Sequence, residues 1–179
     1  MSETRERLLD AAESSMRERG YHAVSFRDLA ELLQIKSASV HYHFRQKEDL
    51  GVALVQRYQQ RFFEAVAARA GSSGSGADSI AAFCACYRAA LVESSHLCLC
   101  AMLGAESKGL PSPVAAAVNG FFASNIEWLQ QQLPAPAAAR AQTILATLQG
   151  AMMLANSTGD HELFDSAVGC ILADLGGAS

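Results

Sequence analysis

The sequence predicts an all-α fold of about nine helices, with a small N-terminal domain followed by a larger C-terminal helical bundle. Alanine, leucine, glutamine and glutamate recur at helical spacing, whereas the alternating pattern of strands is nearly absent. Half of the 179 residues are hydrophobic, enough to bury a core. Two stretches interrupt the helical pattern: the glycine and serine run at 71–76 and the proline-containing loop at 109–113.

Three helices are predicted in the N-terminal domain. The first runs from about Thr4 to Arg19, and Gly20 fits the position just past its end. Ser25 can cap the second helix, with Asp28 three residues later giving a weak capping box. The third begins near Ser37, which also suits a capping position.

Six further segments continue the helical pattern. Leu50, Leu54 and Tyr58 are spaced to lie on one face of the first of them, which favours one long helix. The six helices are predicted at about residues 47–70, 78–92, 97–107, 112–132, 137–156 and 161–175.

Composition narrows the possible functions. The net charge of −4 leaves room for only a small basic surface, so nucleic-acid binding needs a few well-placed contacts. No apolar run is long enough to span a membrane, and the charged N-terminal segment does not resemble a secretory signal, which predicts a cytoplasmic protein. The five cysteines include no C-x-x-C pair, so we expect no disulfide framework, no metal site and no cofactor.

Residues 25–44 have the form of a helix-turn-helix. Two short capped helices are joined by a tight connection, and Val40 and Phe44 can anchor the inner face of the second. Its other side chains are hydroxyls and imidazoles, which can bond phosphates and base edges, while Lys36 and Lys47 flank the helix. A solvated helical hairpin without a partner explains this outward surface less well.

These residues closely resemble the TetR family of bacterial repressors. The resemblance is carried by Ser25-Phe-Arg-Asp-Leu-Ala30, by Ile35-Lys-Ser-Ala-Ser-Val-His-Tyr-His-Phe44 and by Lys47-Glu-Asp-Leu50, and it covers residues 4 to about 58. It implies that Ser25 binds phosphate at the start of the second helix and that Tyr42 and Lys47 make phosphate contacts. The full set of expected DNA-binding residues is Ser25, Arg27, Lys36, Ser37, Ala38, Ser39, His41, Tyr42, His43 and Lys47.

The turn departs from the family pattern at one position. Gln34 stands where the family usually has glycine, so this residue needs either a positive φ at some cost or a different turn.

The resemblance also implies two domains. Residues 1–47 would bind a double-stranded DNA operator, and residues 48–179 would bind a small-molecule effector and form a homodimer. The last two predicted helices are apolar over much of their circumference, which fits a two-fold helical contact or, alternatively, packing within one chain. The expected dimer residues are Leu148, Met152, Ala155, Val168, Ile171 and Leu172.

Aromatic side chains of the middle helices are candidates for the effector pocket, although such stripes more often belong to the core. The candidates are Phe83, Tyr87, Cys98, Cys100, Met102, Phe121, Phe122, Asn125, Trp128 and Met152.

The C-x-C pairs at Cys84 and Cys98 raise a second possibility. Residues two apart on a helix point in nearly opposite directions, so a four-thiolate metal site is not expected. The thiols either pack inertly or sense electrophiles, as in some TetR-like repressors, with Cys98 and Cys100 as candidates. Arg88 and His96 could lower a thiol pKa if they touch it. Glu106 and His96 together give only two metal ligands.

The sequence therefore favours a DNA-binding repressor released from a palindromic operator by an apolar or thiol-reactive effector. An enzyme is not expected, because no metalloprotease, nucleophile-elbow or phosphate-loop motif is present. A constitutive DNA-binding protein without effector is the remaining alternative, and ligand-induced thermal stabilisation would separate the two.

Overall fold

The computed structural model describes residues 3–71, 75–94 and 97–176. Within these ranges the chain forms nine α-helices and no strand, which confirms the predicted fold class. The helices are α1 (Glu3–Arg19), α2 (Phe26–Leu32), α3 (Ser37–His43), α4 (Lys47–Ala70), α5 (Gly76–Ser94), α6 (Leu99–Ala105), α7 (Ser112–Gln132), α8 (Ala138–Thr158) and α9 (Glu162–Gly176).

Most helix ends lie within two residues of the predicted ones. Helix α5 starts two residues early because Ser75 caps it: the backbone N–H of Asp78 donates to the Ser75 Oγ, and the Asp78 carboxylate accepts from the Ser75 N–H. Of the predicted 71–76 linker, residues 72–74 lie outside the described part. Helix α6 is shorter than predicted, because its end tightens into the bonds from Glu106 N–H to Leu103 and from Ser107 N–H to Gly104.

The chain divides into two compact units. One comprises residues 1–59 and 99–121, and the other comprises residues 60–98 and 122–179. The division falls inside α4 and inside α7, so each unit takes part of both helices. The boundary predicted at residue 47 concerns function and not compactness, and it stays a prediction.

The first unit is held together by α1. Its apolar side chains Leu8, Leu9 and Met16 are fully buried, and α1 packs against α2 and α6. At its end Gly20 has φ of +81° and its N–H bonds the Met16 carbonyl, as predicted for a residue past a helix terminus.

The caps of α2 and α3 differ from one another. Ser25 forms the predicted capping box with Asp28. The capping role predicted for Ser37 is wrong: the N-cap is Lys36, which makes no side-chain cap bond, and Ser37 is already the first helical residue. Lys36 has an extended backbone, with φ −72° and ψ 141°, so the helix starts at residue 37. A cap at Ser37 would need the helix to start one residue later.

The second unit packs α5 against α8 and α9, and α8 against α9. Aromatic rings fill its centre. The ring of Phe62 lies 5.3 Å from that of Phe83 and 4.8 Å from that of Tyr87, measured between centroids. No helix in the described ranges combines the length and apolar character needed to cross a membrane.

Candidate nucleic-acid interface

Helix α3 presents its polar side chains outward. Val40 and Phe44 are buried, as predicted for the inner face of this helix. Tyr42 is 85% exposed, so its hydroxyl projects well clear of the protein. Ser37, Ala38 and His41 are also exposed, and Ser39 and His43 are half-buried.

The surface around α3 carries positive charge although the whole chain is negative. From residue 32 to residue 47 the only ionised side chains are the cations Lys36, Arg45 and Lys47, and no carboxylate interrupts them. This segment therefore offers three cations of its own to a phosphate backbone.

Two predicted contact residues on α2 are exposed and have partners within the chain. The Ser25 Oγ donates to the Asp28 carboxylate at 2.7 Å and accepts from the Asp28 N–H at 3.2 Å. The guanidinium of Arg27 pairs with Glu31 at 3.0 Å on the open surface. Because such exposed pairs are weak, Arg27 can exchange Glu31 for another anion.

Lys47 is more constrained than its position in the motif suggests. It is half-buried, and its Nζ lies 4.2 Å from the centroid of the Tyr21 ring. Burial lowers the pKa of Lys47, and the carboxylates of Glu106 and Asp28 oppose that shift. Burial also raises the pKa of Tyr21 to about 12, with a further contribution from Glu48.

In the turn between α2 and α3, Gln34 takes the strained backbone conformation that glycine adopts more easily. Gln34 has φ of 55°, the one positive φ among the described non-glycine residues. The next N–H, that of Ile35, reaches back to the Ala30 carbonyl at 3.0 Å and closes the turn. The expected positive φ is therefore present, at the cost a side chain carries in this region.

A cleft of about 350 Å³ lies beside α3, and the sequence did not reveal it. One wall is Thr4 in the first turn of α1, and the other comes from the turn and α3. The cleft is lined by Thr4, Ile35, Lys36, Ala38, Ser39, Tyr42 and His43. No local signal in the sequence connects Thr4 to this surface, because only the packing of α1 brings it there.

Glu106 has a role that differs from the suggested metal pair. Its Oε2 accepts from the Tyr21 N–H at 2.8 Å, so the carboxylate holds the segment between α1 and α2. His96 lies outside the described residues. In the described ranges no three His, Cys, Asp or Glu side chains form a metal-binding group.

The predicted pocket residues are divided between the two units. Met102, Cys100 and Phe121 belong to the first unit, and the other seven belong to the second. In the second unit the Tyr87 hydroxyl donates to the Asn125 Oδ1 at 2.9 Å, and both residues are fully buried. Phe83 is also fully buried, whereas Phe122 and Trp128 are half-buried. The Phe83 and Trp128 rings stack with centroids 5.0 Å apart and an interplanar angle of 9°.

The predicted dimer residues differ in their exposure, and their role in a dimer stays a prediction. Leu148, Met152 and Ala155 are fully buried within their own chain, and Ile171 is 8% exposed. Residues of the same chain cover these four positions, which is what the alternative of packing within one chain expects. Val168 and Leu172 are half-buried. The apolar side chains that remain open on α8 and α9 are Met153 (57% exposed), Leu154 (56%) and Leu163 (39%).

The four cysteines of the C-x-C pairs are all buried, and Cys170 is exposed. Burial raises the pKa of Cys84 to about 12 and also raises the pKa of Cys86. The Cys98 N–H contacts the Met152 sulfur at 3.4 Å. The guanidinium of Arg88, considered above as a group that could lower a thiol pKa, pairs with Asp165 at 2.6 and 2.8 Å.

Known proteins share both the motif and the fold. The family described as bacterial regulatory proteins, tetR family, matches residues 8–54. A TetR transcriptional regulator from Legionella pneumophila is 30% identical, with 96% of each chain covered and a TM-score of 0.84. A TetR family regulator from Agrobacterium tumefaciens is 27% identical, covering 95% of this chain and 96% of that one, with a TM-score of 0.87.

The reduced form of NemR from E. coli is 26% identical, covering 94% of this chain and 95% of that one, with a TM-score of 0.79. No curated protein sequence matches the chain. The structural relatives are transcriptional regulators, which confirms the expectation that the chain is not an enzyme. The chain belongs to the TetR family of DNA-binding transcriptional regulators.

Proposed function

We propose that the protein is a dimeric cytoplasmic repressor that leaves a palindromic operator when a small-molecule effector binds. The observation that carries the DNA-binding part is the outward face of α3, which is polar, exposed and free of carboxylates over residues 32–47. Such a face can enter a major groove while flanking cations neutralise phosphates. The contact residues are the ten named above, from Ser25 to Lys47.

The proposed dimer uses the open face of α8 and α9. The exposed side chains Met153, Leu154 and Leu163 give this face its apolar area, and Gly150 and Gly169 allow close approach. Two acidic residues of α9 already have partners, since Asp165 pairs with Arg88 and Asp174 with Arg140. Two copies joined there would hold two recognition helices for half-sites about 34 Å apart.

The second unit is the proposed effector site. It contains the stacked Phe83 and Trp128 and the buried pair of Tyr87 and Asn125. It also contains Gln149, whose amide nitrogen and oxygen are both buried and have no hydrogen-bond partner. A buried amide without partners costs stability, which is understandable if a molecule from outside bonds it.

A cysteine-based redox sensor is the second candidate. It is favoured by the position of Cys98 beside Met152 in the second unit and by the similarity to NemR, whose structure was determined in a reduced form. A constitutive DNA-binding protein would need neither the unpaired amide nor the buried thiols.

Fluorescence anisotropy with DNA from upstream of the protein's own gene tests the proposal. We expect tight binding that weakens as salt rises. Loss of binding with oxidant, restored by reductant and absent in Cys98→Ser, would favour the redox sensor. Binding that no oxidant or small molecule changes would favour the constitutive alternative. Binding equal to that of random DNA would contradict specific regulation from this site.

A further inference from the structure

The cleft beside α3 has the chemistry of an anion site. Besides the side chains of Ile35 and Ala38, its lining consists of one ammonium, one imidazole and three hydroxyls, and no carboxylate lines it. The polar groups belong to Lys36, His43, Thr4, Ser39 and Tyr42. Each of these can donate a hydrogen bond, so the cleft offers several donors to one acceptor-rich group.

The concave shape of the cleft suits a phosphate contact better than a base contact. Base edges lie at the floor of a groove and are reached by side chains that project, such as the exposed His41. Phosphodiester groups stand out from the duplex and fit a concavity. A volume of about 350 Å³ is ample for one phosphate with its adjoining sugar atoms.

We propose that this cleft holds one backbone phosphodiester of the DNA and that Thr4, on α1, supplies one of its ligands. The inference rests on DNA binding by this family member and adds a residue outside the helix-turn-helix. It also assigns Lys36 and Ser39 to phosphate binding and leaves base readout to the projecting residues of α3. Helix α1, which packs one apolar face against its neighbours, would thereby touch the DNA directly.

Phosphate contacts carry no sequence information, so the test needs no known operator. A fluorescent duplex of about 20 bp with random sequence is titrated with the full-length protein at several salt concentrations. Thr4→Ala is expected to weaken binding about fivefold to tenfold, equally for two unrelated sequences, since hydrogen bonds to charged groups are the stronger ones. Thr4→Ser keeps the hydroxyl and is expected to bind as the wild type does.

Lys36→Met is expected to lower the slope of log Kd against log salt by about 1, because one fewer counterion is released. Ser14→Ala is the matched control, since Ser14 is exposed on the same helix but does not line the cleft. Wild-type affinity in Thr4→Ala, or a loss confined to one of the two sequences, would overturn the proposal.

A second measurement uses inorganic phosphate and amide NMR, without DNA. We expect shifts at residues 4, 36, 39 and 43 in the wild type and smaller shifts in Thr4→Ala. Shifts at these positions with unchanged DNA affinity in the variant would identify a site for free phosphate and overturn the DNA assignment. No shift at these positions would overturn the anion site itself, even if DNA binding by α3 stands.

Discussion

Glu106 follows Tyr21 by 85 residues, yet its carboxylate accepts a hydrogen bond from the Tyr21 backbone N–H at 2.8 Å. The other carboxylate oxygen lies so close to Gly20 that a Cβ added there would overlap it. The segment that leads from α1 into the helix-turn-helix is thus shaped around a side chain from a distant part of the chain.

Removing this carboxylate should weaken the fold. Glu106→Ala leaves the Tyr21 N–H without its partner, and we expect a loss of about 1–3 kcal/mol in the free energy of unfolding. Glu106→Gln keeps an acceptor and should lose less. Gly20→Ala should be destabilising through both its φ of +81° and the overlap. In a Glu106→Ala background only the φ cost should remain, and strictly additive losses in urea denaturation would contradict the contact.

Gln34→Gly should stabilise the protein. A side chain at φ of 55° costs roughly 1–2 kcal/mol, and the extra unfolded-state entropy of glycine returns roughly 0.5–1 kcal/mol of that. The expected net gain is about 0.5–1 kcal/mol, measured by urea denaturation. Ala23→Gly is a control, because Ala23 is exposed between α1 and α2 and has no positive φ, and it should gain nothing. A loss of stability in Gln34→Gly would show that its side chain holds the turn.

The guanidinium of Arg57 forms ion pairs with three carboxylates of α1. Its side chain is 10% exposed, and its guanidinium lies 3.2 Å from Glu6, 2.8 Å from Asp10 and 2.9 Å from Glu13. Arg57→Met should cost about 2–3 kcal/mol, because it removes charged hydrogen bonds and leaves like charges together. The loss should shrink in about 1 M NaCl, where repulsion is screened.

Arg27→Met is the matched control for this experiment, since the pair of Arg27 with Glu31 lies on the open surface. It should leave the denaturation midpoint almost unchanged. An equally small effect of Arg57→Met would mean that its three ion pairs add no net stability.

Gln149→Leu should raise the melting temperature. Both polar atoms of the Gln149 amide are buried without partners, and an apolar side chain of similar size removes that penalty. We expect a gain of about 1–2 kcal/mol, or roughly 2–8 °C in the melting temperature. Gln142→Leu, at an exposed position of α8, should change little. A lower melting temperature in Gln149→Leu would mean that the amide stabilises the free protein.

The cysteines should differ in reactivity. Maleimide at neutral pH should label the exposed Cys170 in the native protein, while Cys84, Cys86, Cys98 and Cys100 should react only after unfolding. Fast native labelling of Cys98 or Cys100, mapped by mass spectrometry, would instead support thiol sensing.

Burial raises the pKa of Cys84 above its ordinary value of 9.0 to about 12. The stability that comes from keeping this thiol neutral is complete below pH 9 and is lost as the pH rises towards 12. Replacing Cys84 by alanine should therefore flatten the decline of stability in alkaline solution.

Local signals were sufficient for much of the fold. The capping box at Ser25 and the end of α1 at Gly20 depend on residues a few positions apart, and the sequence displays both. The departure at Gln34 was visible through the family resemblance, because the family usually has glycine at that position.

Contacts between distant segments could not be predicted in the same way. Periodicity shows that Leu148 and Met152 face a partner, but not that the partner is their own chain. The contact of Glu106 with Tyr21 and the approach of Thr4 to α3 depend on tertiary packing, which leaves no periodic trace.

The first compact unit combines residues 1–59 with residues 99–121, and this has a consequence for synthesis. At about 5–20 residues per second, the ribosome takes several seconds to make the chain between these two parts. During that time the nascent N-terminal helices lack the α6 contact and the Glu106 carboxylate. The first unit, which contains the helix-turn-helix, can therefore complete its core only after synthesis has passed well into the second half of the chain.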